Sequence, residues 1–264
     1  MPRIPIHVVH AFTDRVFGGN PAAVCLLTTW LPDDVMQAIA TENDLSETAF
    51  VVREGEGHRI RWFTPTAEVP LCGHATLASG WVLFATGEAP SGRIEFASAS
   101  GRLTVTSPEP RSTRAPISID LPALPAAPTS AHDLDHALGV VPVETLARDG
   151  LLVAVVARED EVRAARPDLG ALAAAGRDLI VTARGDRYDF VSRYFGPTVG
   201  IPEDPVTGAA HCTIAPYWAA RLGRARLSAR QVSARGGDLA CTVEGDRVIL
   251  GGHAVRYLEG TIEI

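Results

Sequence analysis

Lysine is missing from this chain: all 24 basic residues are arginine. That excludes a lysine Schiff base, pyridoxal phosphate attachment included, and the lysine of a phosphate-binding P-loop. Arginine supplies fixed positive charge but is a poor proton acceptor near neutrality. Any general base must therefore be Glu, Asp, His, Cys or Tyr. Cysteine is sparse, and Cys25, Cys72, Cys212 and Cys241 stand far apart, with neither a CxxC pair nor a Cys/His spacing of the zinc type. Four reduced thiols in a cytoplasmic protein are the expectation, with no metal and no cofactor. Apolar runs such as Leu151 to Ala157 are far too short to span a bilayer. The opening Met1-Pro2-Arg3-Ile4-Pro5-Ile6 runs into a strand pattern instead of a signal peptide. Positive charge is not in excess either, and a net charge of -7 argues against nucleic acid or an anionic membrane as partner. A small molecule is the expected partner.

What is present, in 264 residues of 46% hydrophobic content, suffices for one large or two medium domains, and the chain carries one device twice. Arg61-Trp62-Phe63-Thr64-Pro65 and the following Glu68-Val69-Pro70-Leu71-Cys72-Gly73-His74-Ala75 return as Arg193-Tyr194-Phe195-Gly196-Pro197. After Thr198-Val199 and three extra residues come Glu203-Asp204-Pro205-Val206-Thr207-Gly208-Ala209-Ala210. Each copy reads as an aromatic strand, a proline-containing turn and a glycine opening an apolar helix. The surrounding pattern predicts strands near Ile6–Phe12, Ala22–Leu27, Glu47–Val52, Arg59–Phe63 and Gly101–Val105, with helices near Pro32–Thr41 and Ala75–Phe84. The second half predicts strands at Leu151–Ala157, Leu179–Thr182, Asp189–Phe195 and Gly237–Val243. Helical segments are expected between Asp160 and Ala175 and over Ala210–Leu222. Pro122, Pro125 and Pro128 mark a connector. The expected division is residues 1–115 and 116–264, with the last segment, Val255–Ile264, a candidate to cross back onto the first half. A duplicated scaffold with a cleft between its halves is the natural inference.

Chemistry is expected where the copies diverge. His74 follows the first glycine where Ala209 follows the second, and Asp204 stands where the first copy has Val69. A histidine beside a helix N-terminus is held toward its neutral form by the dipole. An aspartate there serves as a helix cap or takes part in chemistry. Glu47, in Ser46-Glu47-Thr48, begins an otherwise apolar strand, and the matching Arg177-Asp178-Leu179 does not repeat the motif. Desolvation at an apolar edge holds a carboxylate in the proton-bearing form that carbon-proton transfer uses; the alternative is a solvated surface residue. Both glycine turns leave backbone N–H groups at a helix start, donors suited to a carboxylate.

Asn20-Pro21-Ala22-Ala23-Val24, Ser46-Glu47-Thr48, Leu71-Cys72-Gly73-His74-Ala75-Thr76 and Glu203-Asp204-Pro205-Val206-Thr207-Gly208 occur in one order across the chain. Together they resemble the PhzF-like phenazine-biosynthesis isomerase family. The resemblance implies the diaminopimelate-epimerase-like fold: two similar α+β halves, each a curved sheet around a central helix, with the active site between them. It implies a cofactor-free proton shift in a small unsaturated cyclic amino acid, such as trans-2,3-dihydro-3-hydroxyanthranilate, and a homodimer. By motif match Glu47 is the general acid/base, and His74 and Asp204 assist. Asn20, Ser46, Cys72, Gly73, Thr207, Gly208 and Ala209 contact a substrate bearing a carboxylate. The family commonly has Gly-Ser-Ala-His where this chain has Gly208-Ala209-Ala210-His211, so one hydroxyl is missing.

Rival functions fit less of the sequence. Two-thiol epimerisation meets a threonine, Thr207, at the position matching Cys72, and a hydroxyl is far less acidic than a thiol. A binding protein without turnover would not need Glu47, His74 and Asp204 together. Ser46 and Ser79 lack the Gly-x-Ser-x-Gly elbow of a serine hydrolase.

Overall fold

The computed structural model describes residues 3–130 and 136–264. The chain divides into two compact units, Met1–Leu121 with Leu250–Ile264, and Pro122–Ile249. The division falls a little beyond residue 115 because the strand Ile117–Pro122 is an extension of the first unit's sheet.

The first unit contains β1 (Arg3–Ala11), β2 (Asn20–Leu27), α1 (Asp33–Asn43), β3 (Glu47–Glu54), β4 (Gly57–Phe63), β5 (Glu68–Val69), α2 (Gly73–Ala85), β6 (Arg93–Ser98), β7 (Gly101–Thr106) and β8 (Ile117–Pro122). β1 and β2 are antiparallel, β2 and β3 parallel, and β3 and β4 antiparallel. β4 and β6 are parallel, and β6–β7 and β7–β8 antiparallel. The sheet wraps α2, whose residues Gly73 to Phe84 are all buried. That explains a helix apolar all round, including Leu77, Trp81 and Leu83. Its fit against β7 is tight enough that a Cβ on Gly80 would lie 2.5 Å from Val105 Cγ1. Met36 and Ile39 of α1 join Phe50 and Phe63 in a separate buried cluster.

The second unit repeats the pattern with β9 (Ala127–Pro128), β10 (Glu144–Arg148), β11 (Leu151–Val155), α3 (Glu159–Ala164), α4 (Leu169–Ala174), β12 (Asp178–Arg184), β13 (Phe190–Gly196), β14 (Ile201–Asp204), α5 (Gly208–Leu222), β15 (Arg226–Gln231), β16 (Gly237–Glu244) and the start of β17 (Arg247–Gly252), whose residues from Leu250 on belong to the first unit. β10 and β11 are antiparallel, β11 and β12 parallel, β12 and β13 antiparallel, β13 and β15 parallel, and β15 and β16 antiparallel. This is the order of pairings of the first unit. A short 3-10 turn, Pro197–Val199, ended by Gly200 at φ 78°, precedes the remaining extra residues Ile201 and Pro202, which open β14. The last strand, β18 (Ala254–Glu263), returns to the first unit and pairs antiparallel with β1.

Agreement between the copies serves the fold. Arg61 holds Glu68 with two hydrogen bonds of 2.7 and 2.6 Å, and Arg193 holds Glu203 with two of 2.7 and 2.9 Å. Both are two-pronged guanidinium–carboxylate pairs. In each copy the guanidinium also lies over the ring two residues on, Phe63 at 5.2 Å and Phe195 at 4.8 Å, because strand residues i and i+2 share a face. Arg193 reaches further, donating to the carbonyls of Val162, Arg163 and Ala165 and so anchoring α3.

Candidate active site

In the first unit β2 and β3 run parallel, with Ala22 opposite Glu47, so both strands begin at one edge of the sheet. Asn20 opens β2, Glu47 opens β3, and Cys72 is the N-cap of α2. Three element starts thus bring together residues scattered over 55 positions, Asn20 to His74. Gly19 makes the entry possible: at φ 60° its missing Cβ would lie 2.1 Å from the Ala11 carbonyl oxygen, a conformation open to glycine.

His74 Nε2 lies 3.1 Å from Glu47 Oε2, with side-chain exposures of 5% and 12%. Their angle falls short of a hydrogen bond, and both atoms are buried without another hydrogen-bond partner. On the other ring edge, Asn20 Nδ2 is 3.3 Å from His74 Nδ1 and Cys72 Sγ is 3.5 Å from it. Ser46 Oγ donates to Asn20 Oδ1 at 3.1 Å. With its oxygen engaged by Ser46, the Asn20 amide turns its N–H toward Nδ1, which puts the neutral ring's proton on Nε2, facing Glu47.

Burial opposes charge on His74, yet the net shift is upward, because Cys72 and Glu47 lie against the ring. The helix dipole favours a neutral histidine here, and the shift runs in the other direction. The Cys72 thiol is pushed up to about 11, first by burial and then by the Glu47 charge, so at neutral pH it is a thiol and a poor nucleophile. One atom each from Glu47, Cys72 and His74 lies within 4.8 Å of the others. Proximity thus creates a cluster of ligand-type groups that sequence spacing had not suggested. Metal ligation requires the thiol and ring nitrogen to shed protons; both shifts work in the opposite direction.

Asp204 lies at the end of β14 in the second unit and Thr207 is the N-cap of α5. Neither Cys72 nor Thr207 caps its helix through the side chain. The Asp204 carboxylate accepts the Thr207 hydroxyl. Gln231 secures the turn, accepting the Thr207 N–H at 2.9 Å and donating to the Asp204 carbonyl at 2.6 Å. It was missed in the sequence, although its parity with Leu227 and Ala229 on β15 marks it as inward-facing. His211 donates from Nδ1 to the Thr207 carbonyl at 2.8 Å, and burial pushes it down to about 4. Gly208 is buried at the helix start, whereas Ala209 is exposed. Ala209 lines a cavity of about 280 Å³ with Arg148, Asp178, Tyr194 and Thr213.

Asp178 opens β12 as Glu47 opens β3. It accepts the Tyr194 hydroxyl at 3.0 Å, the Thr198 hydroxyl at 2.7 Å and the Thr198 N–H at 3.1 Å. The second copy therefore spends this carboxylate on its own turn, whereas the first leaves Glu47 Oε2 uncommitted. The four cysteines are free and buried, and Thr207 occupies the position matching Cys72, so the duplicated motif carries one thiol and not the two of a two-cysteine epimerase. Among the described residues no helix is long and apolar enough to cross a membrane.

Residues 9–260 match the family model described as phenazine biosynthesis-like protein. The chain is 52% identical over 264 residues to an uncharacterised isomerase of Pseudomonas aeruginosa, covering 99% of each. It is 39% identical over 290 residues to the human phenazine biosynthesis-like domain-containing protein, covering 98% of this chain and 99% of that one. A PhzF-family protein of Enterococcus faecalis matches with TM-score 0.94 and 44% identity, covering 100% of both chains. A hydroxyproline epimerase of Agrobacterium vitis shares the fold at TM-score 0.64 and 10% identity, covering 98% of this chain and 92% of that one. The architecture is thus the α+β, diaminopimelate-epimerase-like one common to these isomerases and epimerases, and the chain belongs to the PhzF-like phenazine-biosynthesis isomerase family.

Proposed function

We propose that the protein shifts a proton, and with it a double bond, within a small unsaturated cyclic amino acid of the trans-2,3-dihydro-3-hydroxyanthranilate type. Glu47 removes the proton from one carbon and returns it to another, and His74 controls the carboxyl's proton through their 3.1 Å contact. The observation that carries this reading is a buried carboxylate oxygen whose one polar neighbour is the His74 ring at 3.1 Å, at an angle that falls short of a hydrogen bond. A carbon acid makes only weak hydrogen bonds, so a base meant for it must be left free of stronger partners. We assign substrate orientation to Asn20, Ser46, Cys72 and Asp204, and carboxylate binding to the backbone at Gly73 and at Thr207, Gly208 and Ala209. Ala209 supplies no hydroxyl, which weakens the fit to the family's namesake substrate and favours a related ring or dienoic amino acid of specialised metabolism. Four free thiols fit a cytoplasmic enzyme, and family resemblance supports a homodimer.

The test is mass spectrometry of trans-2,3-dihydro-3-hydroxyanthranilate in D₂O with wild type and Glu47→Gln side by side. Product carrying deuterium with wild type alone supports the reading. Folded wild-type protein giving neither product nor exchange with this compound or related cyclic amino acids would leave a ligand-binding protein as the better account.

A further inference from the structure

Three residues of the second copy form a hydrogen-bonded chain that the first copy lacks. Gln231, at the end of β15, is fully buried, and Asp204 is 6% exposed. The Thr207 N–H can only donate, so the Gln231 atom facing it at 2.9 Å is Oε1. Gln231 Nε2 is thereby turned to the Asp204 carbonyl at 2.6 Å and to Thr207 Oγ1 at 3.3 Å. With Oγ1 accepting from Gln231, the hydrogen of that hydroxyl is directed to Asp204 Oδ2. Donation runs one way, from amide to hydroxyl to carboxylate.

The first copy builds its glycine turn without any of the three. Val69 stands at the position of Asp204 and Cys72 at that of Thr207. The parallel pairings of β4 with β6 and of β13 with β15 place Ser98 at the position of Gln231, and Ser98 donates to the Gly101 carbonyl of its own hairpin at 2.8 Å. What the copies share is the bond across the first helical turn. The Thr76 hydroxyl donates to the Cys72 carbonyl at 2.5 Å, and His211 Nδ1 to the Thr207 carbonyl at 2.8 Å. A glycine-started helix thus forms without a buried amide, whose desolvation costs free energy unless its bonds are made. We propose that Gln231 is a positioning residue which, through the Thr207 hydroxyl, fixes the Asp204 carboxylate in the orientation it presents to substrate. This rests on the assignment of Asp204 to substrate orientation. A hydroxyl bound only to Asp204 rotates, whereas one that also accepts from a buried amide has a single place for its hydrogen.

The test follows the side-chain carboxyl resonance of Asp204 against pH in protein labelled with ¹³C aspartate, with Asp204→Asn to identify the signal. Thr207→Val removes the donor, and the midpoint should rise by about one pH unit. Gln231→Met should raise it by part of that amount in wild type and by nothing further in Thr207→Val, the non-additivity of residues acting in series. Thr207→Ser, which keeps the hydroxyl, should recover most of what Thr207→Val changes. An unmoved midpoint in folded Gln231→Met overturns the proposal, as does an equal rise with and without the Thr207 hydroxyl. Should Gln231→Met fail to fold, the Thr207 hydroxyl proton of wild type decides. It should exchange slowly enough to be observed and show cross-relaxation with the Gln231 side-chain amide, and a hydroxyl in fast exchange overturns the proposal. None of these readouts needs a substrate, so a failed isomerase assay would remove the role given to Asp204 and leave the hydrogen-bonded chain itself still tested.

Discussion

The 3.1 Å contact between Glu47 and His74 separates two kinds of side chain in this protein, those that complete the fold and those held back from it. Replacing Glu47 by Gln retains size and burial while removing the acid/base function. Turnover should fall by more than about a hundredfold, with the thermal midpoint close to wild type; near-normal turnover in a folded variant would refute the role. His211 is a case of the other kind. Its value falls from 6.5 to about 4 in the folded chain, so between those limits the unfolded chain binds a proton that the folded chain does not. Stability should therefore be unaffected by this group above about pH 6.5, decline as pH falls toward 4, and lose in total about 3 kcal/mol from this source. Urea denaturation at several pH values should show a shallower decline for His211→Gln, and an equal decline would assign the acid sensitivity elsewhere.

Elements place these residues, and glycines set two of the placements. Gly19→Ala forces a Cβ against the Ala11 carbonyl and should displace Asn20, lowering kcat more than the stability loss explains. Gly80→Ala presses on Val105 and should cost about 1–3 kcal/mol in stability; denaturation and turnover measured together distinguish the two variants. The duplicated arginines also separate. Arg193 is 11% exposed against 23% for Arg61 and binds three carbonyls besides Glu203. Arg193→Ala should thus cost about 3 kcal/mol or more, and Arg61→Ala clearly less. Much of this was legible beforehand: the glycine-started helices were expected from residues 75 and 210 and begin at Gly73 and Gly208. The sequence does not signal β15 as a strand, since its small or polar inward residues Ala229 and Gln231 weaken the alternation that identifies one. Glu47, Asn20 and His74 were each singled out by motif. Their convergence depends on the parallel pairing of β2 with β3, a nonlocal feature that no local pattern encodes.

For the molecule as a whole, the duplication is one of topology more than of residues. Unequal commitment of matching positions, Asp178 bonded within its turn and Glu47 held clear, lets one copy serve stability and the other reactivity. The second unit's pairings from β10 to β16 are internal to it, whereas β1 depends on β18 for one of its two neighbours. A chain ending at His253 should lose hydrogen-exchange protection in residues 3–11 while keeping it in 151–155 and 178–184. Loss of protection in both regions would show the second sheet to depend on the missing strand. The pairing of Arg3 with Glu263 also sets a schedule for biosynthesis. β1 is synthesised well before its partner β18, and the whole second unit is made in the interval. During that wait the edge of β1, with Ile4 and Ile6 beside it, is open to nascent neighbours, so slower translation would lengthen the exposure of the sheet without altering a single contact of the finished protein.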